Sequence, residues 1–139
     1  MTPDRLRRLR AVAEAAFHRD QLALGAVMRA RREVSARREA LSSDAAREAA
    51  IVESAPAMAA VLTSYMKGVG QRDAALGAED AALAAEEARR RAAAAVSFRK
   101  SEAVRRFELQ AQTKRRRRRA IKEETETATL AALRRMKRL

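Results

Sequence analysis

The chain has no cysteine and no tryptophan. Without thiols there is no disulfide framework, no thiolate metal site and no cysteine nucleophile. Aromatic residues are only 3% of its 139 residues, and alanine supplies most of the apolar fraction, so few large side chains are available to fill a layered core. An alanine buries little area at roughly 25 cal/mol per Å², and a thin seam between helices is what such a composition can support. Glycine is limited to four residues and proline to two. The residues that dominate instead, alanine, arginine, leucine and glutamate, are strong helix formers, and sheet is not expected. No apolar run approaches the roughly 18 residues of a membrane-spanning helix. Residues 1–10 carry charge with no apolar segment behind them, so no secretory signal is expected. The chain reads as soluble and cytoplasmic.

What is abundant is positive charge. The net charge is +13, distributed as +5 over residues 1–40, −5 over 41–88 and +13 over 89–139. The ends are basic and the middle is acidic.

Apolar periodicity predicts an all-α fold, a long two-stranded antiparallel coiled-coil hairpin with a broken first arm. Leu6, Leu9, Ala13, Ala16, Ala23, Val27, Ala30, Val34 and Leu41 fall on alternating three- and four-residue steps interrupted by Asp20 and Arg37, the spacing of a coiled-coil seam. Thr2 and Asp4 are candidate N-caps, with Pro3 in the first turn. The first arm spans 4–53, with a bend near 42–56 where Ser42, Ser43, Asp44 and Pro56 compete with or remove helical hydrogen bonds. Two glycines at Gly68 and Gly70 place the turn at 66–72. The second arm is 73–138, with Leu76, Leu83, Val104, Phe107, Ala111, Ile121, Ala128 and Ala132 in one heptad phase and Glu79, Arg90, Lys100 and Arg118 interrupting it. That turn pairs Val34 with Val104, Val27 with Ala111 and Leu6 with Ala132. A competing layout turns between Ser42 and Pro56.

Folded about residues 66–72, the chain gathers its basic ends at one pole and its acidic middle at the opposite tip. The run Lys114, Arg115, Arg116, Arg117, Arg118 and Arg119 has three readings: a solvated helix, a contact for an acidic protein surface, or a binder of phosphate backbone. No interleaved aromatics, zinc-finger spacing or reading helix accompany it. Leu62, Tyr65, Met66 and Leu76 are expected near the tip, either closing the hairpin or forming a docking patch. His18 is the only histidine and has no company from which to build a metal site. No nucleophile, base and oxyanion constellation and no phosphate loop can be assembled, so no catalytic, metal or cofactor-binding residue is expected.

A basic, Ala/Glu/Arg-rich chain of this length, opening on Leu6-Arg7-Arg8-Leu9 and ending in a long charged helix, resembles the FliJ/YscO family. These are central-stalk proteins of flagellar and other type III protein export machines, similar to the coiled coil of the rotary ATPase γ subunit. The resemblance implies a non-catalytic stalk, peripheral to the inner membrane. It implies that Arg5, Arg7, Arg8, Arg10, Arg134, Arg135, Lys137 and Arg138 face a hexameric export ATPase. It also implies that the tip around Leu62, Tyr65, Met66 and Leu76 faces an export gate protein and export chaperones. A nucleic-acid- or ribosome-binding helical protein and a generic coiled-coil scaffold are the alternatives.

Overall fold

The computed structural model describes all 139 residues. Two α-helices, α1 (Pro3–Glu53) and α2 (Ala59–Lys137), are joined by a short connection that contains one 3-10 turn, Pro56–Met58. There is no strand, and the helices pair as an antiparallel hairpin. Thr2 opens α1. Its carbonyl accepts from Leu6 N at 3.1 Å and its hydroxyl from Arg5 N at 3.4 Å, while Pro3 occupies the first helical position, where a missing N–H costs nothing.

The reversal is set by Pro56. A proline removes one helical donor and pushes the preceding residue out of the α region, and Ala55 accordingly adopts φ −139°, ψ 74°. The end of α1 is closed by Ser54 N and Ser54 Oγ donating to Ile51 O, at 3.2 and 2.7 Å, and by Ala55 N donating to Val52 O at 3.0 Å.

Three expectations are corrected here. Residues 66–72 form no turn: they are helical, Gly68 and Gly70 have no positive φ, and Val69 is buried. An isolated glycine costs a helix only about 1 kcal/mol against about 3 for proline, so the proline decides where the chain turns. Of the bend expected near 42–56 only the Pro56 end is found, since Ser42, Ser43 and Asp44 continue the helix and the chain leaves it after Glu53. The competing layout, turning between Ser42 and Pro56, lies closer, with the reversal by Pro56. Finally, the pairing shifts. Arg10 meets Glu108, Arg31 meets Asp80 and Glu87, and Arg38 meets Asp73, giving number sums of 111 to 118 in place of 138.

The chain divides into two compact units. The terminal unit is Met1–Ala16 with Ser97–Leu139, and the central unit is Phe17–Val96. Nineteen basic and seven acidic residues lie in the terminal unit, a net +12, against twelve and eleven in the central unit, a net +1. The core of the central unit is Val34, Ala45, Val69 and Ala94; that of the terminal unit is Leu6 with Ser97. Small side chains let the helices approach closely, which is why so thin a core closes.

Candidate functional site: a charged seam and an unpaired basic helix

The inward face of α1 repeats in heptads. Leu6, Ala13, Asp20, Val27, Val34 and Leu41 form one lane, as expected, and all are buried or half-buried. The second lane is Arg10, Phe17, Leu24, Arg31, Arg38 and Ala45, one residue further on than the expected lane through Leu9 and Arg37. On α2 the matching lanes are Leu62, Val69, Leu76, Leu83, Ser97, Val104 and Ala111, broken at the exposed Arg90, and Asp73, Asp80, Glu87, Ala94, Ser101 and Glu108. At Arg10, Arg31 and Glu108 the seam therefore takes charge where Leu9, Ala30 and Phe107 stand one residue away.

That charge is matched across the seam. In the central unit Arg31 Nε and Nη1 donate to Asp80 at 3.1 Å and Glu87 at 2.9 Å, and Arg38 Nε and Nη2 donate to Asp73 at 2.9 and 3.2 Å. In the terminal unit Arg10 donates to Glu14 at 2.8 Å and Glu108 at 3.0 Å. The hydrogen bonds from Arg38 and Arg31 hold Asp73 and Asp80 below the usual carboxylate range, and Arg31 does the same for Glu87. Glu86 is lowered by Arg89 and then Arg90. Reciprocally, Asp80 and Glu87 raise Arg31, Asp73 raises Arg38, and Glu14 with Glu108 raises Arg10. Partly exposed ion pairs add little stability, but charges at seam positions fix register. The Arg38 guanidinium passes over Gly77, 3.7 Å from the place a Cβ would occupy, an ordinary contact distance.

Sequence reasoning passed over these pairs, although a signal was present. Arg10, Arg31 and Arg38 are separated by multiples of seven, as are Asp73, Asp80, Glu87 and Glu108. The acidic middle is thus folded onto arginines and does not make an acidic tip. The open hollow of about 380 Å³ between Met28, Arg31, Ser35, Asp80 and Glu87 is bordered by these mutually paired groups.

In the terminal unit α1 begins opposite Glu108, Gln112 and Arg115, which border a hollow with Pro3, Leu6 and Arg7. Beyond Arg115, the last residue of α2 that borders this hollow, α2 runs on past the start of α1, and every residue from 112 to 139 is exposed. This segment holds eleven basic and three acidic residues. Consecutive residues are about 100° apart on a helix, so Lys114, Arg115, Arg116, Arg117, Arg118 and Arg119 surround its whole circumference. None of the six forms a salt bridge; the segment's one ion pair is Lys122 with Glu126 at 3.9 Å. Arg118, expected at a seam, lies beyond the start of α1 and is exposed. Thr125, Thr127 and Thr129 donate their hydroxyls back to the carbonyls of Ile121, Glu123 and Thr125 at 2.8, 2.6 and 2.8 Å. At 100° per residue, Thr125 and Thr129 lie along a weakly apolar stripe with Ile121, Ala132, Met136 and Leu139, and Thr127 lies away from it.

The eight residues expected at one basic pole are not brought together. Arg5, Arg7, Arg8 and Arg10 lie where α1 starts, beside the 114–119 run, whereas Arg134, Arg135, Lys137 and Arg138 sit on α2 some 22 residues past Gln112, about 33 Å along the helix. The four tip residues are also dispersed. Leu62 and Tyr65 are half-buried in the seam and Met66 is exposed one turn on. Leu76 is eighteen residues from Met58, bordering a hollow with Leu41 and Arg37.

Beside the seam of the terminal unit runs an open groove of about 430 Å³, floored by Leu9, Val12, Ala13 and Ala16 of α1 and by Ala103 and Val104 of α2, with Lys100 at its edge. It is lined almost wholly by apolar atoms. No helix of the chain is long and apolar enough to cross a membrane. No protein-family model, no curated protein and no solved structure matches this chain.

Proposed function

We propose that this chain is a non-catalytic, cytoplasmic stalk or adaptor of a type III protein export apparatus, docking on a hexameric export ATPase through the unpaired basic end of α2. The observation that carries this reading is the segment 112–139, a helix that outruns its partner with eleven basic residues and no internal use for most of them. A helix that stands clear of its own hairpin is geometrically suited to enter a ring or socket, and a surrounding band of arginine suits a socket lined by carboxylates from several directions. The docking residues are then Lys114 to Arg119, Arg134, Arg135, Lys137 and Arg138, with Arg5, Arg7 and Arg8 at the base. An export gate protein or export chaperones would engage the central unit near the reversal, where Met58, Val61 and Met66 are exposed.

The test is to mix the full chain with purified export ATPases and follow co-sedimentation and hydrolysis rate at low and physiological salt. Binding that is lost in an Arg116→Glu, Arg117→Glu variant of unchanged helix content is expected. No binding by the unaltered chain at low salt refutes the reading.

The second reading, a nucleic-acid- or ribosome-binding helix, is favoured by the same band of six cations without carboxylate partners. It demands tight binding to duplex or RNA with a log–log salt slope of about −5 for six neutralised phosphates.

A further inference from the structure

We infer that the apolar groove of the terminal unit is a docking site for an acidic amphipathic helix of a partner protein. The groove arises from the lane exchange at the seam. Because Arg10 and Glu108 occupy the second lane there, the apolar lane beside it is left uncovered. Leu9 is 44% exposed, Val12 67%, and Phe107, one turn from Ala103 on the same face of α2, 51%. Apolar side chains of this size at heptad spacing are what a neighbouring helix covers. The exposed floor runs from Leu9 to Ala16, seven residues or about 10 Å of helix, the span of an i, i+3 or i+4, i+7 set of anchors.

Charge selects the occupant. No carboxylate lines the groove, since Glu14 and Glu108 are engaged by Arg10 at the other side of the seam and Glu102 by Arg105. Lys100 stands at the edge, Arg5 and Arg8 precede Leu9 and Val12 by one turn, and Arg99 and Arg106 flank Ala103. A second copy of this chain would bring those cations against themselves, in a unit that already carries a net +12. A phosphate backbone would gain nothing from the floor. Leucine-type anchors flanked by aspartate or glutamate satisfy both the floor and the rim.

The probe is a labelled helical peptide with leucines at i, i+3, i+7 and glutamates at the flanking positions, titrated by anisotropy against the full chain at about 0.15 M salt, where charges beyond ~8 Å are screened. Binding is expected, weakened at least ~10-fold by Val12→Glu, as for a residue at the centre of a desolvated contact, and left within about two-fold by Val61→Glu, an equally exposed valine of the central unit. Ala103→Glu repeats the test from the α2 wall. Equal binding of a scrambled peptide of the same composition overturns the proposal, as does an unchanged affinity in both groove variants. A concentration-dependent dimer of the peptide-free chain that Val12→Glu dissociates overturns it too, by giving the groove to a second copy.

Discussion

Replacing glycine by alanine at positions 68 and 70 distinguishes the helical hairpin described above from one that turns at 66–72, because the two arrangements demand opposite signs. In the structure both residues lie inside α2 without positive φ. A Cβ at Gly70 meets nothing within 4 Å, and one at Gly68 meets only the flexible end of Arg72 at 3.8 Å. No overpacking opposes the change, so each alanine recovers the backbone entropy that glycine forfeits, about 0.5 to 1 kcal/mol. Each gain comes from its own residue's backbone in the unfolded chain, so the double variant gains roughly 1 to 2 kcal/mol. For a chain of this size that is a rise in melting temperature of about 3 to 7 °C, read from the circular dichroism of the helix signal on heating and from the urea midpoint at unchanged slope. Were either glycine at a turn with φ above zero, alanine would cost about 1 to 2 kcal/mol and the midpoint would fall. A fall in both single variants refutes the assignment of the reversal to Pro56.

Other outcomes follow from the same packing. Val69→Asp places a carboxylate in a buried seam position one turn from Asp73 and should cost about 3 kcal/mol, while Val61→Asp, exposed on the same helix, should change stability by about 0.5 kcal/mol or less; urea titration compares them. Stability should fall on acidification. Asp73, Asp80, Glu86 and Glu87 are held below their ordinary values of 3.8 and 4.5 in the folded chain, so their contribution is complete above pH 4.5 and is lost as pH falls through 3.8 and lower. Thermal scans from pH 7 to 3 would show it, and an Arg31→Gln, Arg38→Gln variant should flatten the profile. Pro56→Ala removes the strongest helix stop from an alanine-rich connection, so the reversal should open at high concentration into exchanged dimers with a longer continuous helix, visible in sedimentation. Arg116→Glu with Arg117→Glu should leave the melting temperature within about 2 °C, because neither residue touches the hairpin.

The helices, their antiparallel pairing and one lane of each seam are legible in the sequence, because helix propensity and a three-four apolar period are local properties. Leu6, Val34, Leu83 and Val104 were placed correctly on those grounds. The second lane was not, since an apolar-period reading prefers Leu9 to Arg10 and Phe107 to Glu108, whereas the structure takes the charged residue wherever its opposite number carries the opposite charge. That choice depends on which residues face each other, which in turn depends on the reversal. By count the two glycines favour a turn at 66–72; in free-energy terms the single proline dominates. The basic pole and the tip depend on that same register, and with the reversal at Pro56 their residues lie apart along the helices.

Because α2 runs without interruption across Gln112, the azimuth of the unpaired segment is coupled to that of the seam. A single inserted residue there would rotate every side chain from Thr113 to Leu139 by about 100° relative to Arg10 and Glu108, while an insertion of seven would displace them by about 10 Å and nearly preserve their bearing. The reach of the basic segment can therefore vary between related chains in whole heptads without disturbing the hairpin, and a partner that reads its faces will accept changes of length only in those steps.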